Sequence, residues 1–126
     1  VVRDAIPAPA RRRGGHPAKR TFQAIRIEVN AELEQLADSL EEAIGRLVAG
    51  GRGAVLSYHS GEDRIVKRCF DLAATGGCTC PPRLPCACGA TPLAVLPRRG
   101  GRVPGVVEAT ANPRAASARM RVLERR

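Results

Sequence analysis

The sequence predicts an α/β fold, and three observations carry that expectation. An apolar stripe recurs at three- and four-residue steps through Phe22, Ile25, Val29, Leu33, Leu36, Leu40, Ala43 and Leu47, the pattern of an amphipathic helix. A short run rich in β-formers follows, Gly53-Ala54-Val55-Leu56-Ser57-Tyr58. A second helical stripe, Ile65, Val66, Cys69, Phe70 and Ala73, begins directly after it. Helix, strand and helix in close succession is the rhythm of an α/β sheet.

Composition limits what surrounds this middle. The 126 residues are 44% apolar but hold two Phe, one Tyr and no Trp, so a core must be built from Leu, Ile, Val and Ala. Residues 1–20 read as an extended basic segment, broken by Pro7, Pro9, Gly14, Gly15 and Pro17 and carrying Arg11, Arg12 and Arg13; that run is a solvated linker or a phosphate contact. Residues 21–74 form the helix-strand-helix, with Thr21 as cap or Pro17 in the first turn, and Gly50 and Gly51 as terminator. Ser60 is expected to cap the second helix with Asp63 as acidic partner. Residues 75–92 form a Cys/Pro/Gly loop. Residues 93–126 hold a short strand at Leu93 to Leu96 and a last strand, in which Ala118, Met120 and Val122 face inward against Arg119 and Arg121. Two late strands with little helix between them suggest an antiparallel pair.

Charge narrows the partner. Twenty-one Lys and Arg against 12 Asp and Glu leave a net +9, which favours a polyanion because each cation placed on a phosphate releases counterions. The scarcity of aromatic residues argues against a general single-strand stacking surface. No apolar run reaches the length of a membrane span and no leader is visible, so a cytoplasmic protein is expected. Val at the first position fits a truncated chain.

Two motifs invite chemistry. Gly51-Arg52-Gly53 is a Gly-x-Gly, but it follows a helix and precedes a strand. The dinucleotide fingerprint needs the opposite order, because the pyrophosphate must meet a helix N-terminus, and class I methyltransferases likewise place their glycine turn after the first strand. The expectation is no cofactor loop. Cys78-x-Cys80 and Cys86-x-Cys88 gather four thiols into eleven residues, stiffened by Pro81, Pro82 and Pro85. Four thiolates suit a tetrahedral structural zinc ion, although Cys-x-Cys bites more tightly than the usual Cys-x-x-Cys; free thiols are the alternative, and disulfides do not fit a cytoplasm. Cys69 reads as a small buried residue.

Three separated stretches carry a family resemblance. They are the run from His16 to Asn30 (HPAKRTFQAIRIEVN), then Leu56-Ser57-Tyr58-His59-Ser60 with Glu62-Asp63-Arg64-Ile65-Val66-Lys67, then Asn112-Pro113-Arg114-Ala115 with Ser117-Ala118-Arg119-Met120-Arg121. In order and spacing they resemble the C-terminal portion of the 16S ribosomal RNA cytosine-N4 methyltransferases, the family called ribosomal RNA small subunit methyltransferase H. The sequence departs from the family at Gly61, where Leu is usual, and in a helix before Asn112 weakened by Gly105, Val106 and Val107.

The resemblance implies the C-terminal half of a Rossmann-like class I methyltransferase domain, with the S-adenosylmethionine-binding half lying upstream and the chain inactive alone. It implies 16S ribosomal RNA or the small ribosomal subunit as partner, with neither DNA nor membrane. Methyl transfer to an exocyclic amine requires the base to be splayed out and its amine held by hydrogen-bond acceptors. His59 and Ser60, at the C-terminal end of the first strand, are the catalytic candidates; for His59 the plainer role is tying the strand end to its neighbours. Lys19, Arg20, Gln23, Arg26, Arg64, Lys67 and Arg114 are the RNA-binding candidates, each also readable as an ordinary surface residue, an ion-pair partner or, for Arg114, a turn stabiliser. Glu62 and Asp63 are expected to serve the helix dipole. Two other readings stand beside this one. One is a non-catalytic basic RNA-binding module with a structural zinc loop; the other is a helical module whose long stripe pairs with a protein.

Overall fold

A computed structural model describes residues 2–7, 18–81 and 84–126. The expectations for Pro9, Arg11, Arg12, Arg13, Gly14, Gly15, His16, Pro17 and Pro82 fall outside the described residues. The chain divides into two compact units, Val1–Glu34 and Gln35–Arg126.

In the first unit, α1 is a single turn, Val2–Ala5, where extended chain was expected. Helix α2 spans Lys19–Val29. Its N-cap is Ala18, without a side-chain cap bond, so Thr21 lies inside the helix rather than at its start. The expected long helix is interrupted here. Asn30 ends α2, Ala31 takes a left-handed φ of 50°, and α3 restarts over Glu32–Arg46. A left-handed non-glycine residue costs about 1–2 kcal/mol, and local bonds offset it. The Asn30 Nδ2 donates to Glu32 Oε1 at 3.1 Å, and Arg26 grips the same carboxylate with Nε and Nη2 at 2.9 and 3.0 Å. Glu32 and Glu34 then stand in the first turn of α3, where the helix dipole favours acids. The apolar stripe is divided accordingly. Phe22, Ile25 and Val29 are exposed, α2 buries no residue, and only Leu40 and Ile44 of α3 are fully buried.

The second unit packs around a three-stranded sheet. Strand β1 is Arg52–Ser57, β2 is Ala94–Val95 and β3 is Arg119–Arg125. Helix α4, Ser60–Thr75, joins β1 to β2, while α5, Val106–Ala111, and a 3-10 helix, Pro113–Ser117, lead into β3. The spatial order is β1-β3-β2, and β3 is antiparallel to both neighbours. Strands β1 and β2 are therefore parallel to one another. With α4 between them they form a split βαβ unit, into which the C-terminal strand is inserted. The pair β2–β3 is the antiparallel pairing expected near the end of the chain.

Leu40 and Ile44 of α3, Val66, Phe70 and Ala73 of α4, and Ala94 and Leu123 of the sheet form one core. Full burial of the Leu, Ile, Val and Phe side chains among them stabilises by about 1.5–3 kcal/mol each. Ile65 and Cys69 pack at its margin, so the predicted inner face of α4 is the face that packs.

The face of β3 departs from the expectation, although Ala118, just before the strand, is buried and Arg119 is exposed as expected. Leu123 is 1% exposed and shares its face with Arg121 and Arg119. Met120 and Val122 lie on the opposite face and are only half-buried. The reason is a largely covered cation, described below, which reads as a surface residue in any alternation pattern. Strand β1 likewise covers only one face, with Ser57 buried and Leu56 59% exposed.

The helix end also shifts. Helix α3 stops at Arg46, and the chain turns through Gly50 at φ 76° before β1. The Gly50 N–H donates to the Arg125 carbonyl at 2.9 Å, and the Arg125 N–H to the Gly51 carbonyl at 2.8 Å. The Gly51-Arg52-Gly53 segment is thus a helix-to-strand turn tied to β3.

Candidate functional site

Open α/β sheets collect ligands where strands end and helices begin, and in this unit that place is the junction of β1 and α4. Ser57 closes β1, its Oγ donating to the Arg119 carbonyl at 3.3 Å. Tyr58 follows, 55% exposed. His59 is the N-cap of α4, with extended backbone, so the expected cap at Ser60 moves one residue earlier. His59 Nδ1 accepts the Glu62 N–H at 3.3 Å, and the Glu62 carboxylate accepts the N–H groups of Tyr58 and His59 at 2.8 and 3.2 Å. Reciprocal bonds of this kind satisfy donors that a helix start would leave unpaired. His59 Nε2 is buried 3.1 Å from Glu62 Oε1, although off the line of a hydrogen bond. The imidazole is thereby engaged in the turn through Nδ1, while Nε2 is buried without a hydrogen-bond partner. Ser60 is exposed at the first helical position.

Asp63, one turn into the helix, does more than complement the dipole. Arg121 of β3 donates to it through two parallel bonds, Nε to Oδ1 at 2.7 Å and Nη2 to Oδ2 at 3.0 Å. Arg119 Nε adds a longer contact at 3.7 Å. The Arg121 side chain is 10% exposed and that of Asp63 20%. The Arg121 hydrogen bond holds the Asp63 carboxyl below its usual range. Partial burial opposes that effect, and the charges of Arg121, Arg119 and Lys67 reinforce it. Arg121 was missed as a functional residue because alternation assigns it to solvent; no sequence signal marks its partner.

The RNA-binding candidates separate into groups. Lys19, Arg20, Gln23 and Arg26 lie on α2, where Lys19 and Arg20 are exposed, Gln23 is half-buried and Arg26 is paired with Glu32. Arg64 and Lys67 are exposed on α4 and line one groove with Arg68, Asp71 and Cys78. Arg68 was not anticipated, although its i+4 spacing from Arg64 places it on the same face. Arg114 is exposed on the 3-10 helix, whose start Asn112 caps by accepting the Arg114 N–H at 3.2 Å. A second basic groove lies on the outer sheet face, lined by Arg52, Arg98, Arg102, Met120 and Val122.

Helix α4 ends at Gly76, left-handed at φ 60°, whose N–H donates to the Leu72 carbonyl at 2.8 Å. The four predicted cysteines gather beyond it. The Sγ atoms of Cys78, Cys80, Cys86 and Cys88 all lie within 4.8 Å of one another. Cys78 and Cys86 are 3.5 Å apart, and Cys86 and Cys88 3.3 Å apart. All are free thiols, as is Cys69. The Cys88 thiol is lowered by the Ala90 backbone N–H and by the Cys86 and Cys78 thiols. Burial pushes the Cys69 thiol up.

With this geometry in place, comparison with known proteins decides the family. The MraW methylase family matches residues 1–126. The chain belongs to the MraW methylase family. Relatives named ribosomal RNA small subunit methyltransferase H include those of Acidothermus cellulolyticus, 58% identical over 125 residues, and Frankia alni, 56% over 126. That of Heliobacterium modesticaldum is 52% identical over 126 residues. In each case 99% of this chain is matched, against 38%, 38% and 40% of the relative's length. The chain therefore spans about two-fifths of the curated MraW-family relatives it matches.

Methyltransferases of this kind imply S-adenosylmethionine. Among the described residues, no glycine turn leads directly from a strand into a helix to cradle a nucleoside; Gly105, the N-cap of α5, stands well beyond the end of β2. Gly50 to Gly53 run from a helix into a strand, and His59-Ser60-Gly61 is occupied by the capping bonds of α4. The described residues do not fit the cofactor. Among the described residues, no helix is long and apolar enough to cross a membrane.

Proposed function

We propose that this chain is the C-terminal part of an S-adenosylmethionine-dependent methyltransferase acting on cytosine N4 in 16S ribosomal RNA, within a Rossmann-like class I domain. The observation that carries the reading is identity of 52–58% across nearly the whole chain to relatives bearing that ribosomal RNA methyltransferase name. The split βαβ arrangement supports it, because parallel strands β1 and β2 are the kind that extend an α/β sheet. The half-exposed outer sheet face, with Leu56, Met120 and Val122, is suited to cover by further chain.

In this reading the chain holds RNA and shapes the acceptor edge. Arg64, Lys67 and Arg68 supply a row of cations for phosphates, with Lys19, Arg20, Gln23, Arg26 and Arg114 as further contacts. The exposed Ser60 hydroxyl offers an acceptor at the end of β1, and His59 fixes the turn that presents it. The cell compartment is the cytoplasm, where ribosomal subunits are assembled.

The test compares the isolated chain with the longer polypeptide it is encoded in, each supplied with S-adenosylmethionine and small ribosomal subunits. Nucleoside mass spectrometry should find N4-methylated cytidine with the longer polypeptide alone. Turnover by the isolated chain, or methylation of another base by the longer one, would overturn the reading. Tight, salt-sensitive RNA binding without any methyl transfer by either would instead favour the non-catalytic module.

A further inference from the structure

We propose that Cys78, Cys80, Cys86 and Cys88 bind one zinc ion as a tetrathiolate, closing the loop between α4 and β2 into a structural clip. The geometry points to a single ion. Thiolates at about 2.3 Å from a tetrahedral zinc lie roughly 3.8 Å from one another. The two closest pairs here are at 3.3 and 3.5 Å, and no pair exceeds 4.8 Å. Adjustments within an ångström would bring all four sulfurs to one centre. Sulfurs this close cannot enclose a cluster of several irons and sulfides, and they are too far apart to be bonded, since disulfide sulfurs sit at about 2.05 Å.

The backbone is arranged for the same convergence. Gly77 precedes the first Cys-x-Cys at φ 78°, and Gly89 follows the second at φ 68°. Left-handed residues at those two positions, which glycine adopts without steric cost, turn the two cysteine pairs toward each other. The Thr75 carbonyl accepts the Cys78 N–H at 3.2 Å, anchoring the loop to the end of α4.

The described residues of the loop contribute little packing. Leu84 is 65% exposed, Cys86 and Cys88 are exposed, and none of the described residues between Gly77 and Ala90 belongs to the core. Ordering such a segment costs conformational entropy that little apolar burial opposes here; metal binding supplies what packing does not. Zinc with four thiolates carries a net charge of −2. Arg64, Lys67 and Arg68 line the groove that Cys78 borders, so the complex would sit beside three cations. On binding, four Zn–S bonds form and the four thiol protons pass to solvent, with no change of oxidation state.

The experiment uses the whole chain, purified reduced and reconstituted with one equivalent of zinc before desalting. Elemental analysis should return one zinc per chain, falling at least tenfold in the Cys86→Ser/Cys88→Ser double variant and unchanged in Cys69→Ser. Because the double variant could lose its fold, a second readout uses the wild-type chain. Cobalt(II) in place of zinc should give the visible bands and thiolate-to-metal charge transfer of a tetrahedral four-sulfur site. A reduced wild-type chain that retains no zinc, that holds iron in preference, or whose cobalt spectrum shows fewer than four sulfur ligands would overturn the proposal. So would a double variant that keeps its zinc.

Discussion

Arg121 on the last strand clasps Asp63 on α4 through two parallel hydrogen bonds of 2.7 and 3.0 Å, joining residues 58 positions apart. This pair sets the face that β3 turns to α4, because Leu123 can enter the core only when Arg121 lies on the same side. Both groups are largely withdrawn from water, so removing Asp63 takes the carboxylate from Arg121, and removing Arg121 leaves Asp63 only the longer contact to Arg119. Asp63→Asn and Arg121→Met should each destabilise by about 1–3 kcal/mol, less than the cost of opening a fully buried pair. Urea unfolding of both single variants and the double variant should give a coupling of at least about 0.5 kcal/mol. Additive effects would show that the two side chains act independently.

The same pair makes stability depend on pH. Arg121 lowers the Asp63 pKa in the folded chain, whereas the unfolded chain has the ordinary value near 3.9. The unfolded state therefore binds the proton first as pH falls. The stabilisation is complete above about pH 5, declines as pH passes below the unfolded value, and is gone below the depressed folded one. Thermal melts from pH 6 to pH 2 should show a smaller acid loss in Asp63→Asn than in wild type. Parallel curves would place the acid sensitivity elsewhere.

His59 is an N-cap, and its replacements should sort by capping ability. His59→Ala should cost about 0.5–2 kcal/mol, while His59→Ser or His59→Asn, which restore an acceptor to the Glu62 N–H, should recover most of it. Glu62→Ala should resemble His59→Ala, since it removes the other half of the box. If His59→Asn were as stable as wild type yet abolished methyl transfer by the longer polypeptide, a direct catalytic role for the imidazole would follow.

Gly76 is the position least open to substitution at the end of α4. A Cβ there would lie 2.6 Å from the Thr91 carbonyl carbon, and the φ of 60° is already unfavourable for alanine. The adjacent Gly77, also left-handed, would place its Cβ in ordinary contact at 3.7 Å from Leu72. Gly76→Ala should therefore cost about 2–4 kcal/mol, against about 1 kcal/mol for Gly77→Ala. Equal melting temperatures for the two would remove the Thr91 contact as the cause.

Much of this is legible in the sequence. The period of Ile65, Val66, Cys69, Phe70 and Ala73 identifies the inner face of α4, because burial must follow the helical repeat. The spacing of four cysteines in eleven residues announces a cluster, because so short a loop cannot hold them far apart. The break at Ala31 was not legible. Neither Gly nor Pro marks it, and the bonds of Arg26 and Asn30 to Glu32 that offset its cost exist only once the chain has turned.

The sequence by itself determined the family, the alternation of helix and strand, and the thiol-rich loop, all of which rest on local periodicity, spacing and residue type. Only the folded structure decided which face of β3 is inward, where the α2–α3 break falls and which residue caps α4. Each of those depends on a partner brought near by folding: Asp63 for Arg121, Glu32 for Arg26 and Asn30, and the Glu62 backbone for the imidazole. An arginine on a strand reads as solvent-facing until the carboxylate that neutralises it is in reach.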